Sequence, residues 1–201
     1  MTAQVQDSLH YLGQQHVLAA FSEGEPFSPI DAGYQPVMAS TACWRGYMCD
    51  YEVKDGLLYL RELWVNHQPG EEPTVRRGQP PDLNGVKAAR SDKSFVSDWQ
   101  FSDVGLPIAY TGGLVIGRDF LRELYVHMGF HPAWKYQHVH ELVFEQGRLV
   151  EARDVGPEMA RLRTHIQTDG SKPDSAASRD QIQEWVAACF SRDYDRKARG
   201  G

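Results

Sequence analysis

Cysteine is scarce in this chain: 201 residues contain three, Cys43, Cys49 and Cys189. The number is odd, the residues are unclustered, and their neighbours are apolar or aromatic. That excludes the paired framework of a secreted disulfide domain and predicts three buried, reduced thiols. Long apolar runs are missing too. None approaches the roughly 20 residues that a helix needs to cross a bilayer. The segment Met1 to Asp7 has neither the basic start nor the apolar stretch of a signal peptide, so a cytoplasmic protein without membrane contact is the expectation. Positive charge is the third shortage. Against 27 acidic residues stand 21 Lys and Arg, a formal net charge of -6. General nucleic-acid binding, which needs a basic face for phosphates, is therefore disfavoured.

Catalytic signatures are equally thin. There is no Gly-x-Ser-x-Gly elbow and no Gly-x-x-x-x-Gly-Lys phosphate loop, and Gly112-Gly113 to Gly117 does not meet the dinucleotide fingerprint. Cys43, beside an aromatic-basic-glycine run, reads as structural rather than nucleophilic. Glu71-Glu72 read as solvated.

What the sequence does hold is a β pattern with a helical end. Its hydrophobic fraction is 41% and its charged fraction 24%, ordinary for one soluble domain of this length. Leu9 to Leu12 and His16 to Phe21 flank a polar break at residues 13–15 and predict a hairpin. Residues 24–36, with three prolines, predict a surface loop. Trp44 to Val53 alternates, Lys54-Asp55-Gly56 supplies a hairpin turn, and Leu57 to Val65 returns. Residues 67–103 form a long polar stretch in which short elements are expected near 83–86 and 95–101. Strands are expected again at 107–116, with a glycine bulge or close backbone approach, at 120–127, and in the hairpin 138–152.

Pro157 opens a helical pattern bearing Met159, Leu162 and Ile166 on one face. Residues 168–177 read as linker. Ser178 and Gln181 then form a capping box ahead of Ile182, Trp185, Val186, Cys189 and Phe190, a stripe expected to dock on the sheet. Beyond it Arg192, Arg196, Lys197 and Arg199, interrupted by Asp193 and Asp195, read as a solvated, frayed tail. The fold class is α+β: a predominantly antiparallel sheet of hairpins, as a curled sheet or partial barrel, over residues 1–156, with one or two C-terminal helices over 157–201 packed on it.

Two stretches carry a resemblance. Thr41-Ala42-Cys43-Trp44-Arg45-Gly46-Tyr47, running into the Asp-Gly hairpin and Leu57-Leu58-Tyr59-Leu60, is one. Tyr110-Thr111-Gly112-Gly113-Leu114 with Tyr125-Val126-His127-Met128-Gly129-Phe130 is the other. Together they resemble a family of bacterial proteins of similar length with no established activity. The resemblance implies a bacterial origin and a shared β-rich fold, and it carries no catalytic residue onto this chain.

Two site readings compete. The first is a non-catalytic protein-binding protein, an immunity-type or regulatory partner, without a cofactor. The acidic balance suits a basic protein partner, and Trp44, Arg45, Trp134 and Tyr136 are the candidate exposed anchors, since interface hot spots favour Trp, Tyr and Arg. The second is an enzyme or small-ligand binder at a histidine cluster. His138 and His140 project from one strand face roughly 6–7 Å apart, and a third ligand from His127 would complete a transition-metal site, zinc first. Glu141 projects to the opposite face. A third reading makes the C-terminal helix a self-association element.

Overall fold

The computed structural model describes residues 2–69, 78–169 and 178–196. Strands β1 (Ser8–Tyr11) and β2 (Gln14–Phe21) pair as a hairpin about Leu12-Gly13. Strands β3 (Tyr47–Lys54) and β4 (Leu57–Val65) pair about Asp55-Gly56. The two short strands β5 (Ala89–Arg90) and β6 (Trp99–Phe101) extend β4, and β7 (Leu106–Pro107) also pairs with it. Strand β8 (Gly112–Phe120) is followed by a last hairpin of β9 (Tyr136–Glu145) and β10 (Arg148–Asp154) about Gln146-Gly147. In all three hairpins both turn residues have positive φ, between 49° and 80°. That twist matches the right-handed twist of the flanking strands.

The strand order is β10-β9-β8-β2-β1-β3-β4-β6-β5, and β10 returns to pair with β4 through Arg148 opposite Leu57. The sheet therefore closes on itself into a seven-stranded barrel, β4-β3-β1-β2-β8-β9-β10. The β1–β3 pair is parallel and the others are antiparallel. A parallel neighbour requires a long crossover, which residues 22–46 supply. Alternation sends Leu9, Leu18, Cys49, Tyr51, Leu60, Leu114, Ile116, Leu142 and Phe144 inward, where they pack as one buried cluster. In a barrel of this size, side chains of that bulk fill the interior.

Two smaller apolar clusters coat the outside. Ala19, Val115, Tyr136 and Val139 pack beneath Val155 and Met159, the latter in the first turn of helix α1 (Gly156–Asp169). Cys43, Met48, Trp64 and Val96 form the other. Met159 is 3% exposed, so truncating it to Ala costs about 2–5 kcal/mol. Helix α2 (Arg179–Phe190) opens on the capping box of Ser178 and Gln181, as the spacing predicts. The side chains of Ile166, Ile182 and Trp185, part of the expected stripes, lie outside those described, as do residues 170–177 of the expected linker. The docking of α2 is seen at its last turn, through loops: the Phe190 ring stacks on Trp44 and the Cys189 carbonyl accepts the Phe130 amide.

The structure corrects three other expectations. The strand expected at 120–127 ends at Phe120, and a 3-10 turn over Arg122–Leu124 follows. Asp119 adopts φ 59°, which turns the strand out of its alternation, and Phe120 and Tyr125 then pack their rings against His131. The surface loop 24–36 holds a buried Tyr34, whose hydroxyl donates to Pro81 O at 3.1 Å. Above all, the tail is not frayed at Arg192. Past α2 the chain runs beside β2, where β1 has already ended: Phe21 N donates to Arg192 O at 2.9 Å and Tyr194 N donates to Phe21 O at 3.1 Å. Lys197 and Arg199 lie outside the described residues.

Candidate binding face

The returning strap places Arg192 in a buried ionic network. Asp7, just ahead of β1, accepts both terminal nitrogens of Arg45 at 3.0 and 3.1 Å, Arg192 Nη1 at 2.8 Å and the Cys49 amide at 2.8 Å. Glu25, from the crossover, accepts Arg45 Nη1 at 3.0 Å, Arg192 Nη2 at 2.6 Å and the Tyr47 hydroxyl. Burial alone would raise the Asp7 carboxyl, but the Arg45 and Arg192 guanidiniums beside it hold it well below the usual carboxylate range. Burial and the facing Glu25 push the Tyr47 phenol up. Two guanidiniums meet two carboxylates with satisfied hydrogen bonds, the condition under which buried charge is tolerated. Phe130 lies between the cations, its ring centre 4.6 Å from Arg192 Cζ and 5.5 Å from Arg45 Cζ.

Two clefts flank this strap. The smaller, about 300 Å³, is lined by Phe21, Trp44, Phe130 and Phe190 with Gln4, Glu25, Arg45 and residues 191–193. Trp44 stacks on Phe190 at 5.2 Å with the rings 8° apart, and it remains 43% exposed. The larger cleft, about 940 Å³, carries six carboxylates, Glu23, Glu141, Glu145, Glu151, Asp193 and Asp195, against the two guanidiniums Arg153 and Arg196. Its floor is Glu141, 1% exposed, which accepts the Tyr194 hydroxyl at 2.8 Å and is paired with Arg153. Arg196 reaches Glu151 at 3.7 Å. Among the described residues Glu23 and Glu145 have no ion-pair partner, and both are exposed. Asp193 lines both clefts, so they form one continuous face.

The four expected anchors are distributed differently from their expectation as exposed groups. Trp44 is exposed. Arg45 is held inside the ionic network. Tyr136 is 4% exposed, with its hydroxyl donating to Gln6 Oε1 at 2.9 Å, and burial pushes its phenol up. Trp134 packs partly buried on the cluster under α1. Its neighbour Lys135 is buried, and burial lowers its ammonium. These rings are drawn in because the 3-10 turn Ala133–Lys135 seats on the outer apolar cluster.

The three expected metal ligands part company as well. His127 is exposed, its Nδ1 2.8 Å from the Tyr125 hydroxyl. His138 lies at the rim, Nε2 3.5 Å from Asp119. His140 faces inward at one end of the barrel, its ring centre 5.9 Å from His16 and 6.1 Å from Tyr11. Among the described residues no group of three or more His, Cys, Asp or Glu side chains is arranged to hold a metal ion. The residues that sequence reasoning passed over are Asp7, Glu25, His16 and Tyr194. Only His16 carried a signal, since it sits two places before the inward Leu18 and opposite the inward Leu9.

No protein-family model, no curated protein and no solved structure matches this chain. Among the described residues no helix is long and apolar enough to cross a membrane.

Proposed function

We propose that this chain is a non-catalytic binding protein of the immunity or regulatory type, whose strap-centred face recognises a basic protein partner. The observation that carries this reading is the 940 Å³ cleft with its excess of carboxylates. Small-molecule sites are lined mostly by apolar and aromatic groups. This cleft offers Phe144 and Tyr194 as its aromatic surface, and its charged lining sets six carboxylates against two guanidiniums, an excess of negative charge that suits lysine or arginine side chains. The neighbouring Trp44–Phe190 stack supplies an aromatic anchor of the kind that dominates interface energetics. Acidic charge concentrated there would steer the encounter and set its salt dependence.

A labelled oligolysine peptide tests the reading by fluorescence anisotropy. The double variant Glu23→Lys/Glu145→Lys is compared with Asp31→Lys/Glu123→Lys, which has the same net charge but exposed positions outside the cleft. Binding that is lost only in the cleft variant supports the proposal. Equal loss in both, or no binding at low salt, overturns it.

A further inference from the structure

The barrel closes on only the first part of its last strand. Arg148 stands opposite Leu57, and the Leu149 amide donates to Gly56 O at 2.8 Å. Because this pair is antiparallel, β10 then runs past the Asp55-Gly56 turn, where β4 has no further residue to set against it. From Val150 to Asp154 every residue is exposed. Among the described residues no strand pairs with that side of β10.

The ladder with β9 tells which backbone groups are open. Val155 N donates to Val139 O at 2.9 Å, and Arg153 and Glu151 stand opposite Glu141 and Val143. Bonded and non-bonded pairs alternate along an antiparallel ladder. Glu151, Arg153 and Val155 therefore direct their amides to β9, whereas Ala152 and Asp154 turn N–H and C=O away from it. The Asp154 side chain accepts the Gly156 amide at 2.8 Å, which serves the start of α1 and leaves the Asp154 backbone groups open.

An open edge of this kind is a template for another strand. Proline and lysine, which blunt such edges, are missing from residues 150–154, and the bulge between Leu149 and Glu151 falls at the beginning of the stretch. The charges on the edge select its partner. Two copies of β10 paired antiparallel about a two-fold axis have three registers that overlap over most of this stretch and match open backbone groups. Centred on Glu151 or on Arg153, the axis sets like charges directly opposite each other, the destabilising case. Centred on Ala152, it bonds Ala152 to Ala152 and sets Glu151 of each copy opposite Arg153 of the other. Those are non-bonded pairs of the new ladder, whose side chains approach most closely. Four charges of alternating sign then ring the axis. Both side chains are accessible, Glu151 at 47% and Arg153 at 43% exposure. The contacts of Glu151 within its own chain are long, 3.5 Å to Arg153 Nε and 3.7 Å to Arg196.

We infer that this chain self-associates through β10, as a two-fold dimer in which the strands pair antiparallel about Ala152. Glu151 and Arg153 also line the acidic cleft, so the dimer lays two such clefts side by side. It needs no basic partner to form, and a failure of either reading leaves the other standing.

The pairing is short, so the dimer belongs to the weak, transient class. Sedimentation velocity of the full chain, over about a hundredfold range of concentration up to about 1 mM, should show the mass rising toward twice that of one chain. Hydrogen exchange read by NMR at both ends of that range locates the contact. The Ala152 and Asp154 amides should slow on self-association, while those of Glu151 and Arg153, bonded to β9, stay slow throughout. Glu151→Lys sets like charges opposite each other twice and should weaken the dimer about tenfold. Glu123→Lys, the same charge change at an exposed position away from the edge, should leave it unchanged. Ala152→Pro removes the amide at the axis and should abolish the dimer. A chain that stays single up to about 1 mM overturns the inference and leaves this edge to a strand of another protein. A dimer undiminished in Glu151→Lys, weakened equally by Glu123→Lys, or formed without slowing of the Ala152 amide overturns it as well.

Discussion

The amide of Leu58 donates to the carbonyl of Gly147 at 2.8 Å, and the amide of Leu149 answers by donating to Gly56 O at 2.8 Å. Two hairpin turns thus clasp each other, and this clasp closes the barrel between β4 and β10. Gly56 and Gly147 share nearly the same positive φ, 73° and 80°, but their surroundings differ. A Cβ on Gly56 would meet nothing within 4 Å, whereas one on Gly147 would collide with the Ile108 carbonyl. Gly56→Ala should cost about 1 kcal/mol from backbone strain alone, and Gly147→Ala about 2–3 kcal/mol. Urea unfolding of the two variants side by side measures the difference. Equal losses would mean that the clasp yields without resistance.

Arg192→Met removes one of three guanidinium contacts to Asp7 and one of two to Glu25. Breaking a buried pair by deleting one partner costs about 3–5 kcal/mol, since the stranded carboxylate stays desolvated. Chemical denaturation should register that loss. A cost below about 1 kcal/mol would show that the strap is a passive covering.

His131 is held down to about 4, by burial first and by Lys135 second, from an ordinary 6.5. The unfolded chain therefore takes up its proton first as the pH drops. Stability from this residue is intact above 6.5 and is lost progressively as the pH falls toward 4, amounting to about 1–2 kcal/mol once solvent screening at a half-buried ring is allowed for. His131→Phe should flatten the melting temperature over that window. It should leave the steeper loss below about 4, where Asp7 and other carboxylates protonate, unchanged. A wild-type profile already flat between 6.5 and 4 would refute the assignment.

Burial raises all three thiols, yet Cys49 and Cys43 are buried while Cys189 is partly exposed at the end of α2. A disulfide reagent should therefore label Cys189 first, with the other two reacting only on unfolding. Mass spectrometry after partial labelling reads the order directly, and early labelling at Cys43 would contradict the buried cluster beside Trp64.

The hairpins were legible in the sequence because each is a local matter. Asp55-Gly56 and the turn before Arg148 declare themselves through residues that accept positive φ, and the flanking alternation does the rest. The inward face of β9 was legible for the same reason, which is why His140 was singled out. Its partner His16 lies on a strand distant in sequence, and nothing local joins the two. Ring closure, the parallel β1–β3 pair and the Asp7–Arg192 contact are likewise products of long-range pairing. Glu141 shows the limit most plainly. Alternation sends it outward, and outward normally means solvent, but the returning strap lays Tyr194 over it. The same strap took Arg192 out of what composition alone describes as a charged tail.

The separation of Asp7 from Arg192 by 185 positions also has a meaning in time. At roughly 5–20 residues per second of synthesis, the second residue follows the first by roughly 10–40 s. Throughout that interval a nascent chain can form its hairpins and pair Asp7 with Arg45, but the network lacks its second cation and the end of β2 keeps the backbone groups of Phe21 open to any strand nearby. Completion of the ionic network is thus postponed until Arg192 has been made, after the strands β1 to β10 that it braces.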